Sequence, residues 1–231
     1  MGGLCSITTA LIIDVAAWMD SSEINIAVSD GLFGALDQIL VDTLAADGRC
    51  VTDQLFDPVL IAELYREVSR RQDLSPAKVG RHQAHRSHHD IRRDKTGWLN
   101  GETLAQRQYL ERMDTLREGM NRSLYLGLQE FEAHFSRFDQ GDFYRTHVDA
   151  LKGQRNRVVT SVTYLNAQWH EEWGGELVMY DGDGVELTRV LPYGGVTVLF
   201  LSEAFPHQVL PALTSRYSIA GWFRVNSGLG F

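Results

Sequence analysis

The sequence predicts an α+β fold in which helices come first and a β-sheet core follows. Three observations carry this. Apolar residues recur at helical spacing through the first half; from Ala133 onward the chain breaks into short runs rich in Val, Tyr, Phe and Thr, separated by Gly, Asp, Asn and Pro. The composition, 44% hydrophobic and 23% charged over 231 residues, suits one globular domain with a sizeable core. Helices before strands suggest a sheet buttressed on one face by helices, and a double-sheet jelly roll, or double-stranded β-helix, fits the strand count. The expected division is an N-terminal extension over 1–30 and a single domain over 31–231, with helical support at 31–130 and the jelly-roll core at 131–226.

The opening "MGGLCSITTALIIDVAAWMD" is apolar but lacks the basic start of a secretory signal and is interrupted by Asp14. It reads as an extension or a first amphipathic helix, too short between charges to span a bilayer. "DGLFGALDQILVDTLAADG" then places Leu32, Phe33, Leu36, Ile39, Leu40 and Leu44 at helical spacing and stops on Gly48. "RCVTDQLF" is a short strand candidate. "DPVLIAELYREVSRRQ" predicts a helix with Asp57 as N-cap and Pro58 as first helical residue, burying Leu60, Ile61, Leu64 and Val68. A polar stretch from Asp73 to Lys95 follows, and a long helix runs from Glu102 to about Leu126.

Eight strand candidates occupy the remainder: "HFSRFD", "FYRTHVD", "VVTSVTYLN", "GELVMYD", "VELTRVL", "VTVLFL", "HQVLPAL" and "YSIAGWFRV". Gly174 and Gly175 are read as turn residues that carry no chemistry.

The charge balance, 22 Lys and Arg against 30 Asp and Glu for a net charge of -8, argues against a general affinity for nucleic acid, which needs basic surface to neutralise phosphates. Neither a nucleic-acid nor a membrane partner is expected. The two cysteines, Cys5 and Cys50, form no framework of paired bridges, so a reducing cytoplasm is the expected setting.

The chemistry gathers in "FYRTHVDALKG" and downstream. In a strand, alternate side chains share a face, so the spacing of His147 and Asp149 aims an imidazole and a carboxylate into one space. His207, at the head of "HQVLPAL", offers a third ligand. Two histidines and a carboxylate on strands form the facial set that suits non-haem Fe(II), and zinc uses similar ligands. The plainer reading is a hydrogen-bonded His147–Asp149 pair with His207 packed beneath a loop. Arg216 heads an apolar strand in which Ile219, Trp222 and Phe223 should be buried. A guanidinium there keeps its charge and costs several kcal/mol without an anion. That anion is either an internal Asp or Glu, or a small dicarboxylate gripped bidentately while its other end reaches the metal.

Taken together, these residues resemble the 2-oxoglutarate- and Fe(II)-dependent oxygenases, and within them the prolyl 4-hydroxylases related to the oxygen-sensing hypoxia-inducible factor hydroxylases of animals, in a bacterial form. The resemblance covers about residues 45–226 and rests on "DIRRDKTGWLNG", "YRTHVD", "TYLN", "WGGEL" and "PHQVLPALTSRYSIAGWF" in that order. It implies that His147, Asp149 and His207 hold iron and that Arg216, helped by the Tyr164 hydroxyl, binds the distal carboxylate of 2-oxoglutarate. Tyr144 would line the same pocket. Trp222 and Arg157 or Arg155 would sit at the entrance, with Arg92 and Asp94 an ion pair closing a loop and Trp98 near the mouth. Where animal members carry a tyrosine shortly before the H-x-D strand, this chain has Phe138.

The activity implied is hydroxylation of a prolyl residue in a protein, with elongation factor Tu as the candidate protein, release of succinate and CO2, and ascorbate as a supporting reductant. Two alternatives stay open at this point: hydroxylation of a small molecule such as a free amino acid, and a non-catalytic module that binds metal and dicarboxylate. A rival metal motif is "RHQAHRSHHD", where His82, His85 and His89 would share a face if the segment were helical, with His88 beside them. Flanked by Ser, Gly and Arg and lacking an apolar face, it reads as a cationic loop facing substrate.

Overall fold

The computed structural model describes residues 30–77, 90–150 and 156–225. Three helices, α1 (Asp30–Asp47), α2 (Pro58–Arg70) and α3 (Leu104–Leu124), accompany eleven strands: β1 (Arg49–Thr52), β2 (Ser75–Pro76), β3 (Lys95–Trp98), β4 (Glu130–Phe138), β5 (Tyr144–His147), β6 (Arg157–Tyr164), β7 (Leu177–Tyr180), β8 (Glu186–Val190), β9 (Thr197–Leu201), β10 (His207–Val209) and β11 (Arg216–Arg224). The strands form two antiparallel sheets. The larger runs β1-β9-β6-β11-β4-β3-β2 and the smaller β5-β10-β7-β8.

The helices form where the sequence supplies both caps and an apolar stripe. Asp57 accepts from the Val59 amide to cap α2, Pro58 opens it, and Ile61, Leu64 and Val68 are buried. Thr103 caps α3 through the Gln106 amide, and Tyr109, Met113, Leu116 and Met120 form its buried stripe. These side chains pack on Phe135, Val159, Leu199, Ile219 and Phe223, which line one face of the large sheet. Truncating a fully buried member such as Leu64 to Ala would cost about 2–5 kcal/mol.

The opposite face of the large sheet packs against the small one. Phe138, Val162, Tyr164, Val198 and Phe200 meet Leu177, Met179 and Val209 there. Strand alternation therefore sorts every residue of β4, β6 and β11 between a helix-facing core and an inter-sheet space. Arg216, Ser218, Ala220 and Trp222 fall on the inter-sheet side of β11, since Ile219 and Phe223 belong to the other core.

All eight downstream strands sit where alternation puts them, but three features differ from the sequence reading. The polar stretch after Asp73 contains β2 and leads into β3, which extends the large sheet beyond β4. β10 ends at Val209, because Pro211 lacks the amide a longer ladder would need. β5 ends at His147, so Asp149 lies in the bend beyond it and reaches the imidazole through the turn rather than by strand alternation. The extension before residue 30, the histidines of "RHQAHRSHHD" and Arg155 lie outside the described residues. Among the described residues no helix is long and apolar enough to cross a membrane.

Candidate functional site

His147 closes β5 and His207 opens β10, and the two are Cα partners in the ladder that joins these strands. Their rings lie 4.2 Å apart. The His147 Nδ1 is 2.8 Å from the Arg145 carbonyl, and the His207 Nδ1 is 3.0 Å from that of Phe205. A carbonyl oxygen only accepts, so each Nδ1 carries the proton and each Nε2 is left with a lone pair. Both lone pairs face one carboxylate: His147 Nε2 lies 3.5 Å from Asp149 Oδ1, and His207 Nε2 lies 3.8 Å from Asp149 Oδ2. Donor atoms of the three residues all lie within 4.8 Å of one another.

The electrostatics fit a cation. Burial on its own would raise the Asp149 carboxyl, but the positive charge that His207 and His147 bring when protonated, with the Thr160 hydroxyl, outweighs it and holds the group well below the usual carboxylate range; a bound cation would act on the carboxylate in the same sense. Burial pushes the His207 imidazole down, which keeps its nitrogen free to coordinate. Two bare imidazole nitrogens facing a carboxylate repel one another until a proton or a metal ion lies between them. Nitrogen, nitrogen and oxygen on one side match the donor set of an Fe(II) facial site.

Thr160 is a site residue that the sequence reading missed. Its hydroxyl donates to Asp149 Oδ2 at 2.8 Å and lies 2.9 Å from the Ser202 hydroxyl, so it fixes one carboxylate oxygen. Its place in "VVTSVTYLN", on the same alternation as Tyr164, was the available signal.

Arg216 is 1% exposed, at the start of β11. Its Nε donates to the Gly175 carbonyl at 3.0 Å and its Nη1 to Ser218 Oγ at 3.4 Å, while Nη2 has no partner among the described residues. The guanidinium lies 4.8 Å from the Tyr164 ring centre and 5.1 Å from that of Phe138. Burial depresses its proton affinity, opposed by Tyr164 and, among the carboxylates of the described residues, by Asp94, which is itself bound by Arg92. The Tyr164 hydroxyl feels the Arg216 charge yet, like Nη2, has no hydrogen-bond partner among the described residues. A buried cation and a buried hydroxyl, both with hydrogen-bonding capacity unused by the described residues, offer donors to an anion.

Gly175 corrects the reading of it as a plain turn residue, because its carbonyl anchors Arg216. It sits at φ +77°, and a Cβ there would come within 2.9 Å of Ala212 Cβ and 3.0 Å of the Trp169 ring.

The remaining predicted residues gather along the same inter-sheet face. Tyr144 stacks on His147 at 3.6 Å, with the Arg92 guanidinium 4.6 Å from its ring centre. Arg92 donates through Nη2 to Asp94 at 2.8 Å, and through Nε as well. Trp98, 57% exposed, meets the His134 ring edge-on at 5.4 Å. Trp222 lies on the other side of His134 at 5.4 Å and is covered by the Arg157 guanidinium at 3.7 Å. His134, at the centre of this group, went unnoticed in the sequence.

The sequence profile of the 2OG-Fe(II) oxygenase superfamily matches residues 133–224. Egl nine homolog 1 from Homo sapiens is 27% identical over 198 residues, covering 80% of this chain and 46% of the relative; the Rattus norvegicus protein is also 27% identical, with 58% of it covered. The chain thus spans about half the length of the curated relatives it matches. A crystal structure of a Pseudomonas putida prolyl-4-hydroxylase superposes with a TM-score of 0.74 at 38% identity, covering 83% of this chain and 100% of that one. The prolyl hydroxylase of Trichoplax adhaerens, in complex with a hypoxia inducible factor oxygen degradation domain peptide fragment, shares the fold at 23% identity and a TM-score of 0.74, over 84% of this chain and 91% of its own.

Proposed function

Because the chain belongs to the 2OG-Fe(II) oxygenase superfamily, as an Fe(II)- and 2-oxoglutarate-dependent dioxygenase of the prolyl hydroxylase type, we propose that it hydroxylates a prolyl residue in a protein. The candidate protein, named by the resemblance to bacterial members, is elongation factor Tu. The reading assigns one oxygenase domain to 31–231, supported by helices over 31–130, in a cytoplasmic setting. Its core over 131–226 is a double-stranded β-helix, which the strand orders β4-β11-β6-β9 and β5-β10-β7-β8 support.

The observation that carries the site assignment is the buried Arg216, whose Nη2 has no hydrogen-bond partner among the described residues, beside a Tyr164 hydroxyl in the same condition. Arg216 Nη2 and the Tyr164 hydroxyl would hold the distal carboxylate of 2-oxoglutarate, and His147, Asp149 and His207 would hold Fe(II). Phe138, where animal members have a tyrosine, offers an apolar wall in place of a hydroxyl. When bound, iron and the keto acid together activate dioxygen, so that one oxygen atom enters a substrate C–H bond while succinate and CO2 leave. The imidazole tautomers are fixed in advance by the Arg145 and Phe205 carbonyls, and Thr160 holds the carboxylate; the ligand set is preorganised. Tyr144 stacks on the His147 ring and steadies it. Trp98, Arg157, Trp222 and the Arg92–Asp94 pair form the surface that receives the peptide.

The test is incubation of purified protein with Fe(II), 2-oxoglutarate, ascorbate and proline-bearing peptides, including loops of elongation factor Tu. The expected result is addition of one oxygen atom to proline, with succinate formed in step. Turnover of free amino acids but of no peptide would place the enzyme among small-molecule hydroxylases, and no consumption of 2-oxoglutarate under oxygen would make it a binding module.

A further inference from the structure

We infer that His134 is a substrate-anchoring residue, its Nε2 accepting a hydrogen bond from a backbone N–H flanking the target proline. The inference rests on the protein prolyl hydroxylase reading above. Its basis is position, tautomer and surroundings.

In register, His134 pairs with Ala220 on one side and Trp98 on the other. It shares the inter-sheet face with Arg216, Ser218 and the Asp149-binding Thr160. Ala220, its partner across the ladder, is small, and His134 itself is 5% exposed. The flanking aromatics, Trp98 and Trp222, clamp the ring plane from two directions at 5.4 Å each. Arg92, Asp94 and Arg157 all act on it electrostatically, so His134 lies amid all five residues assigned to the entrance.

Its Nδ1 makes both of the ring's hydrogen bonds, at 3.1 Å to the Phe135 carbonyl and 3.1 Å to Ser136 Oγ. The carbonyl can only accept, so the proton is on Nδ1 and Nε2 is a bare acceptor with no partner among the described residues. Burial first, and the nearby Arg92 and Arg157 charges after it, hold the imidazole down at about 4, against the opposing pull of Asp94 and the Phe135 carbonyl; it is neutral at ordinary pH. A neutral acceptor walled by aromatic rings calls for a donor that arrives with the substrate. The target proline has no N–H to give. Its neighbours in the peptide do, and a free imino acid does not bring them.

The experiment uses the Fe(II)- and 2-oxoglutarate-loaded enzyme with a peptide that it hydroxylates, and with the same peptide N-methylated in turn at each residue flanking the proline. His134→Phe keeps a ring but removes the acceptor and should raise the peptide KM about tenfold with kcat little changed. His134→Gln retains an acceptor and should keep KM within about threefold of wild type. One of the two N-methylations should raise the wild-type KM by a factor similar to that of His134→Phe and add nothing in that variant. An unchanged KM for His134→Phe, or an N-methyl penalty that persists in it, overturns the inference. Should that variant not fold, N-methylation scanned on wild type and His134→Gln decides, and the absence of any penalty overturns it. A wild-type enzyme that hydroxylates no peptide overturns the underlying reading, and this inference with it; the two failures are told apart in the first assay.

Discussion

His147 and His207 are Cα partners across the β5–β10 ladder, and each gives its Nδ1 proton to the carbonyl two residues before it. The same local arrangement on adjacent antiparallel strands turns both Nε2 lone pairs toward Asp149. Apart from a bound cation or an added proton, nothing relieves that arrangement. A divalent ion should therefore stabilise the fold by about 2.7 kcal/mol at a hundredfold excess over Kd. Thermal unfolding with and without Mn(II) reads this, and His207→Ala should abolish the shift. An equal shift in the variant would refute the ligand assignment.

Thr160 touches the ligand set without belonging to it. Thr160→Val should weaken metal affinity about 10- to 100-fold, because Asp149 loses the donor that fixes its orientation. Metal titration followed by calorimetry reads the change. An unchanged affinity would mean that the bend after β5 positions Asp149 unaided.

Gly175 holds a left-handed turn against Ala212 and Trp169 while its carbonyl carries Arg216. Gly175→Ala should cost about 1–2 kcal/mol in backbone strain and more through contact. Because the strain falls on the Arg216 anchor, 2-oxoglutarate affinity should drop along with stability. A stability loss with unchanged affinity would separate the turn from the receptor.

His134 makes stability depend on pH. Its folded value, about 4, lies below the ordinary 6.5, so between those limits the unfolded chain takes up a proton that the folded one refuses. Stability should fall as pH drops through that window, by on the order of 3 kcal/mol from this group, with nothing further lost from it below about pH 4. In urea unfolding at pH 7 and pH 4.5, His134→Gln should lose less than wild type between the two. Equal losses would contradict the assignment.

Much of this was legible in the sequence. Capping by Asp57 and Pro58 marked α2, and alternating Val, Tyr and Phe marked the eight later strands, because these signals are local. The four residues His147, Asp149, His207 and Arg216 could be named from residue type and order. β3 could not: it is four residues long, contains Gly97, and is ordered by pairing with β4. His134 was hidden for a similar reason, since Trp98, Trp222 and Arg157 come to it from three other strands. Thr160 likewise acquires its role from Asp149, eleven residues earlier in the chain. Sequence periodicity reveals which face a residue occupies, whereas its neighbours on that face are set by register.

The proposed role of Arg216 is to receive the distal carboxylate of a keto acid held at the metal. Anaerobic calorimetric titration of 2-oxoglutarate into Mn(II)-loaded protein measures this. One-to-one binding that requires the metal is expected, with Arg216→Met weakening it by about 2–5 kcal/mol while Mn(II) affinity is kept. Undiminished 2-oxoglutarate binding in Arg216→Met would contradict it.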